Sequence, residues 1–124
     1  MLCENGNTAP NIEVLSTCTK LESLSLQGFT IQDIDFIGEL KNLKYLRLWS
    51  YEFPIKNISP INNLNKLEKL EITYNYIPED IDIFRDMISI DKISIETSYS
   101  FIENEQVNAE LSTVLPNCEI SISN

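Results

Sequence analysis

Four large side chains stand at every second position of the segment Leu43–Phe53, LKYLRLWSYEF: Tyr45, Arg47, Trp49 and Tyr51. In an extended strand this spacing puts them on one face, with Leu46 and Leu48 on the other. Tyr, Trp and Arg each join a large contact area to a polar or charged handle, and they dominate the energetics of protein interfaces. The chemistry open to such a row is recognition by stacking, cation–π contact and hydrogen bonding. The competing reading is internal, since aromatic and charged cross-strand pairs also stabilise sheets by roughly 0.2–1 kcal/mol each.

Residues for catalysis are missing. The chain has no histidine to act as a base near neutral pH. Gly6, Gly28 and Gly38 form no phosphate-binding loop. The carboxylate groups Asp33/Asp35, Glu79/Asp80/Asp82 and Glu103/Glu105 lack the glycine-bearing loop of an EF-hand and read as solvated segments and helix starts. Cys3, Cys18 and Cys118 are an odd set with no CxxC, so neither a zinc site nor a disulfide framework is expected. Cys18 and Cys118 read as small buried apolar residues and Cys3 as part of a frayed end, which suits a reducing cytoplasm. The expectation is a protein that is no enzyme and uses no cofactor or metal.

At 124 residues and 43% hydrophobic, the chain has the composition of one globular domain, read as spanning 1–124. No apolar run approaches the ~18–20 residues of a membrane span. The N-terminus, MLCENGNTAP, has no basic stretch followed by an apolar one and does not read as a signal peptide. If the chain is complete, it is expected to stay in the cytoplasm, as a monomer. The net charge of −10 is one-sided: residues 1–69 carry 8 acids and 7 bases, residues 70–124 carry 11 acids and 2 bases. Such a field repels phosphate backbones and anionic lipid, which argues against nucleic acid and membrane as partners. It attracts a basic protein and speeds encounter with it. An acidic surface that merely aids solubility is the plainer alternative.

The architecture comes from an internal repeat. LESLSL (21–26), LKYLRL (43–48), LEKLEI (67–72), IDKISI (90–95) and LPNCEI (115–120) all fit L-x-x-L-x-L, at spacings of 22, 24, 23 and 25 residues. Upstream runs a second pattern in phase with the first: Leu15/Cys18/Leu21, Ile37/Leu40/Leu43, Ile61/Leu64/Leu67 and Phe84/Met87/Ile90. Ile31, Phe53 and Ile77 mark a third position after the strands. Leu-x-Leu sends both leucines to one side of a strand, and the i, i+3 spacing makes an apolar stripe on a helical turn. Neither piece stays dry alone; stacked units share a continuous core under a parallel sheet.

Over roughly residues 12–122 the chain resembles the leucine-rich repeat family, and IGELKNLKYLRL and ISPINNLNKLEKLEI are most similar to its short internalin-type units. The resemblance implies an α/β solenoid with about five parallel strands on one face and short helices or turns on the other. The family places an Asn three residues past the last leucine. Here only Asn75 stands there, with Phe29, Tyr51 and Ser98 in the other repeats, so irregular turns are expected.

Among the return segments, residues 9–18 read as a helix capped by Thr8 with Pro10 in its first turn. PEDIDIFRDM reads as a helix with acids at its start. ENEQVNAELSTVL reads as a helix capped by Asn104, and NISPINNL as a single short turn. The terminal segments 1–20 and 104–124 are expected to cap the stack, and Phe29, Phe53, Phe84 and Phe101 to join the core.

With the strand leucines inward, the intervening residues form outward ladders. One should read Ser25, Arg47, Glu71, Ser94, Glu119, and the next Gln27, Trp49, Thr73, Glu96, Ser121, with Arg47 pairing Glu71. The expected partner-binding set is Tyr45, Arg47, Trp49, Tyr51, Lys69, Glu71, Thr73 and Glu96. Tyr74, Tyr76 and Tyr99 fall in the loops beside it and read first as turn packing. Two functions compete. One is a protein-binding module using the strand face, which on size, charge and resemblance narrows to an immunity protein masking a basic toxin. The other is a fragment of a larger surface-anchored repeat protein with a structural or adhesion role.

Overall fold

Each Leu-x-Leu unit forms a five-residue strand, and each upstream stripe forms the turn that brings the chain back beside it. The structure is a computed structural model that describes residues 2–3, 12–27, 34–49, 57–73, 81–97 and 101–123. The strands are β1 (Leu2–Cys3), β2 (Ser23–Gln27), β3 (Tyr45–Trp49), β4 (Lys69–Thr73), β5 (Lys92–Glu96) and β6 (Glu119–Ser123). They lie in one sheet in the order β1-β2-β3-β4-β5-β6, every pair parallel. Return segments are 3₁₀ helices at Ile12–Thr17, Asp35–Glu39 and Ser59–Asn63, then α1 (Ile81–Arg85) and α2 (Phe101–Val114). The fold is the expected α/β solenoid.

The core is the space between the two layers. From the sheet, Leu24, Leu26, Leu46, Leu48, Leu70, Ile72, Ile93 and Ile95 are buried; Leu15, Ile37, Ile61 and Phe84 face them from the return layer. Leu40, Leu64 and Met87, with Leu43, Leu67 and Ile90, close the turns between the layers. Each of these turns is fastened by one backbone bond, as in Leu43 N–H to Leu40 O (3.1 Å) and Leu67 N–H to Leu64 O (3.2 Å). At the foot of the sheet one carbonyl per repeat accepts two N–H groups from the next: Glu22 O from Lys44 and Tyr45, Lys44 O from Glu68 and Lys69, Glu68 O from Asp91 and Lys92. Side chains add to this stitching, with Asn42 Nδ2 donating to Thr19 O (2.8 Å) and Ser89 Oγ to Leu67 O (2.7 Å). Gly38 belongs to the same economy of space, because a Cβ there would sit 3.1 Å from Asn63 Nδ2 in the next return segment.

Several expectations are corrected. Cys3 is not frayed: it pairs with Leu26 in the two-residue β1, which extends the sheet past the five repeats. The first return segment is a 3₁₀ helix at Ile12–Thr17 rather than a helix over 9–18; Thr8 and Pro10 lie outside the described residues. Asn104 does not cap α2. It lies within the first turn of that helix, buried, where its Oδ1 accepts from Thr97 Oγ1 at 2.7 Å. The bond ties the helix to the residue that follows β5.

The last rung is shifted as well. Ile120 pairs with Ile93, Ser121 with Ser94, Ile122 with Ile95 and Ser123 with Glu96, so Glu119 stands beside Lys92 and not beside Ser94. The cause is in the turn. Cys118 N–H donates to Leu115 O (3.2 Å), which puts Leu115 in the turn before the strand rather than at the place of Ile90. Cys18 and Cys118 are half-buried, packed against the core rather than inside it. Phe84 is fully buried, whereas Phe29 and Phe53 and the side chain of Phe101 lie outside the described residues.

Two substitutions separate the contributions. Leu70→Ala, in the middle of the sheet, should lower stability by about 3 kcal/mol through the cavity it leaves. Asn104→Ala, which removes the bond from Thr97, should cost about 1 kcal/mol. Chemical denaturation of the two variants beside the wild type checks the order.

Candidate protein-interaction face

The residues between the inward leucines stand in three rows on the outer face of the sheet. The first row is Ser23, Tyr45, Lys69, Lys92 and Glu119, and the second Ser25, Arg47, Glu71, Ser94 and Ser121. In the third, Gln27 pairs with Trp49, and Thr73 with Glu96, which in turn pairs with Ser123. Neighbouring strands are ~4.8 Å apart, so long side chains reach across one or two of them.

Glu71 is the centre of the face. Its Oε2 accepts from the Tyr45 hydroxyl at 3.0 Å and lies 3.4 Å from Arg47 Nε; its Oε1 lies 3.3 Å from Lys69 Nζ. The Arg47 contact is an ion pair by distance without hydrogen-bond alignment, since buried Nε has no hydrogen-bond partner. The same cations also meet aromatic rings. Arg47 Cζ lies 4.9 Å from the Trp49 ring centroid, and Lys69 Nζ lies 5.3 Å from that of Tyr45. Beyond this cluster, Lys92 Nζ pairs with Glu119 Oε1 at 3.5 Å. Glu71 is only 20% exposed, Arg47 35% and Lys69 41%, so the cluster is held in place while still facing solvent. Exposed pairs of this kind contribute roughly 0–1 kcal/mol each. Their effect is to fix side chains that would otherwise have to be ordered on binding.

Burial pushes the Tyr45 phenol above its ordinary value of 10.0, and the hydrogen bond to Glu71 and its negative charge push the same way, while Arg47 opposes them. The Cys118 thiol is also raised, first by burial and then by Asp91. A thiol held protonated is a poor nucleophile.

Of the eight expected binding residues, the fold brings Tyr45, Arg47, Trp49, Lys69, Glu71, Thr73 and Glu96 onto one face, all half-buried. Tyr51 lies outside the described residues, as do Tyr74, Tyr76, Tyr99, Asn75, Ile31 and Ile77. The expected pairing of Arg47 with Glu71 is present. Sequence reasoning missed the convergence of Tyr45 and Lys69 on that same carboxylate. The signal was available in the diagonal relation of neighbouring rows. Asp82 and Arg85 pair within α1 at 2.8 Å, and Glu103 and Glu105 are exposed on α2. Among the described residues no group of three metal-ligating side chains converges. Two surface depressions, of about 370 Å³ beside Thr17–Leu21 and about 220 Å³ around Arg85, Ile88 and Cys118, are lined by no residue of the strand face.

The fold is a leucine-rich repeat solenoid of the internalin-like type. Among solved structures the chain is similar to internalin C2 of Listeria monocytogenes, at 21% identity and a TM-score of 0.61, over 92% of this chain and 49% of that one. It is similar to the internalin InlF of the same organism, at 19% identity and a TM-score of 0.59, over 99% and 41%. A leucine-rich repeat protein of Leptospira interrogans matches at 25% identity and a TM-score of 0.63, over 92% and 28%. This chain therefore spans half or less of the length of those structures. No family model and no curated protein matches it.

The Tyr45 phenol offers a test of the cluster. Its folded pKa lies above the unfolded value, so its contribution to stability is whole below about pH 10 and is lost as pH rises through the raised pKa. Glu71→Gln should bring its titration back towards pH 10. The difference in phenolate absorbance between that variant and the wild type, each corrected with the matching Tyr45→Phe protein, measures the shift.

Proposed function

We propose that this chain is a non-catalytic protein-interaction module that binds a protein partner through its strand face and adjoining loops. The observation that carries the reading is the Glu71-centred cluster of Tyr45, Arg47, Trp49 and Lys69, held rigid on an open surface. A preorganised patch of this composition fits a binding hot spot, because its side chains lose little further freedom when covered. The partner is a basic protein, neither nucleic acid nor membrane, and the module acts as a monomer. In its narrowest form the proposal is an immunity protein that neutralises a basic bacterial toxin in the cytoplasm. Residues 1–124 act as one domain, with segments 1–20 and 104–124 as its caps.

The charge supports this in two parts. On the described strand face Arg47, Lys69 and Lys92 balance Glu71, Glu96 and Glu119, so the patch itself is neutral. The net −10 resides elsewhere, with exposed Asp82, Asp86, Glu103, Glu105 and Glu110 on α1, α2 and their flanks. The long-range field steers a basic partner in, and the aromatic cluster holds it.

The second reading is a piece of a larger surface-anchored leucine-rich repeat protein with a structural or adhesion role. It is favoured by coverage, since the similar structures are at least twice as long as the matched region. Further repeats or a leader peptide encoded beside this chain would decide for it.

Trp49→Ala combined with Arg47→Ala should leave circular dichroism and thermal unfolding nearly unchanged and abolish capture of the partner. A melt many degrees lower would show that the cluster serves the sheet instead. With the partner in hand, added salt should slow association far more than it speeds dissociation; indifference of association to salt counts against a basic partner.

A further inference from the structure

In the first two rows of the face each acid has a cation or a phenol at hand. Glu71 has Arg47, Lys69 and Tyr45, and Glu119 has Lys92. Glu96 breaks that rule. Its strand neighbours are Thr73 and Ser123, neither of them charged, and among the described residues it makes no ion pair. Beside it, the Thr73 hydroxyl is buried and has no hydrogen-bond partner. One strand further on, a residue past the Leu48–Ile72 pair, stands the half-buried Trp49. Two strand spacings put the backbones of Trp49 and Glu96 about 10 Å apart.

We infer that the outer face between Trp49 and Glu96 is the seat for an arginine side chain of the partner protein. This rests on the strand-face reading above and names the chemistry that the face takes. A guanidinium is flat enough to stack on an indole and forked so as to meet a carboxylate with two parallel N–H donors. The indole has two faces, and Arg47 uses one. Arg47 is already engaged with Glu71 and Trp49. The seat carries one uncompensated negative charge beside an aromatic surface, which a partner cation completes. It also explains how a face that is neutral in sum selects a basic partner: the selection is made at one position, where the internal pairing stops.

Trp49 is the single tryptophan, so its fluorescence reports on the seat directly. The probes are N-acetyl-arginine amide, its lysine counterpart and its neutral isostere N-acetyl-citrulline amide, titrated at constant ionic strength. The expected result is a saturable change with the arginine probe, a weaker one with lysine and none with citrulline. Glu96→Gln should weaken the arginine response about tenfold, as expected for a charge-assisted hydrogen bond, while Glu119→Gln leaves it unchanged. Both replaced side chains face solvent, and unaltered melts would confirm that folding is intact. No saturable response, an equal response to citrulline, or a Glu96→Gln protein that behaves as wild type overturns the inference. Failure here together with loss of capture in the Trp49/Arg47 double variant would leave the strand-face reading standing and remove only the arginine seat. Retained capture in the double variant would remove the face itself.

Discussion

A five-residue strand has two faces, and in this protein one of them is fully spent. Leucine and isoleucine at alternate positions of four successive strands are sealed against the return layer, with exposures of 1% or less. Strand parity then leaves no choice about the intervening residues: they stand on the opposite side whatever their chemistry. A shift of one residue in any rung would turn its whole apolar set outwards, so register is enforced by the core and inherited by the surface. The bifurcated carbonyls at the foot of the sheet hold that register from repeat to repeat. Everything on the outer face of the sheet depends on this.

The face thus carries side chains that the fold does not require. Their mutual contacts are shallow in energy yet specific in geometry, with three donors drawn to the single carboxylate of Glu71. The arrangement separates two tasks. Pairing within the face orients its side chains, and net charge is displaced to the helices and turns of the C-terminal half. Glu96 stands between two hydroxyl residues and makes no ion pair among the described residues.

The regular parts of the architecture were legible because repeated local patterns report one another. Phase agreement between the strand motif and the upstream stripe identified β2 to β5, their inward residues and the pairing of Arg47 with Glu71. Reading failed where a rung departs from the repeat. LPNCEI matches the motif, yet Leu115 belongs to the turn and the strand lies two residues later, because the long helix α2 delivers the chain to the sheet by a different turn. Asn104 has the chemistry of a cap and lies inside a helix, since a buried acceptor was available to Thr97. β1 carries no repeat signal at all; two residues become a strand only because the edge of β2 is there to receive them.

The solenoid, the direction of its core and the membership of the outward rows follow from residue order alone, because alternation and i, i+3 spacing are local geometry. Only the tertiary structure decided which members of those rows touch. Tyr45, Arg47 and Lys69 share the carboxylate of Glu71 while Glu96 makes no ion pair among the described residues, and that depends on distances between strands some 22 to 27 residues apart in the chain. No local pattern encodes those distances; they exist only once the rungs are stacked and their side chains compete for the same partners.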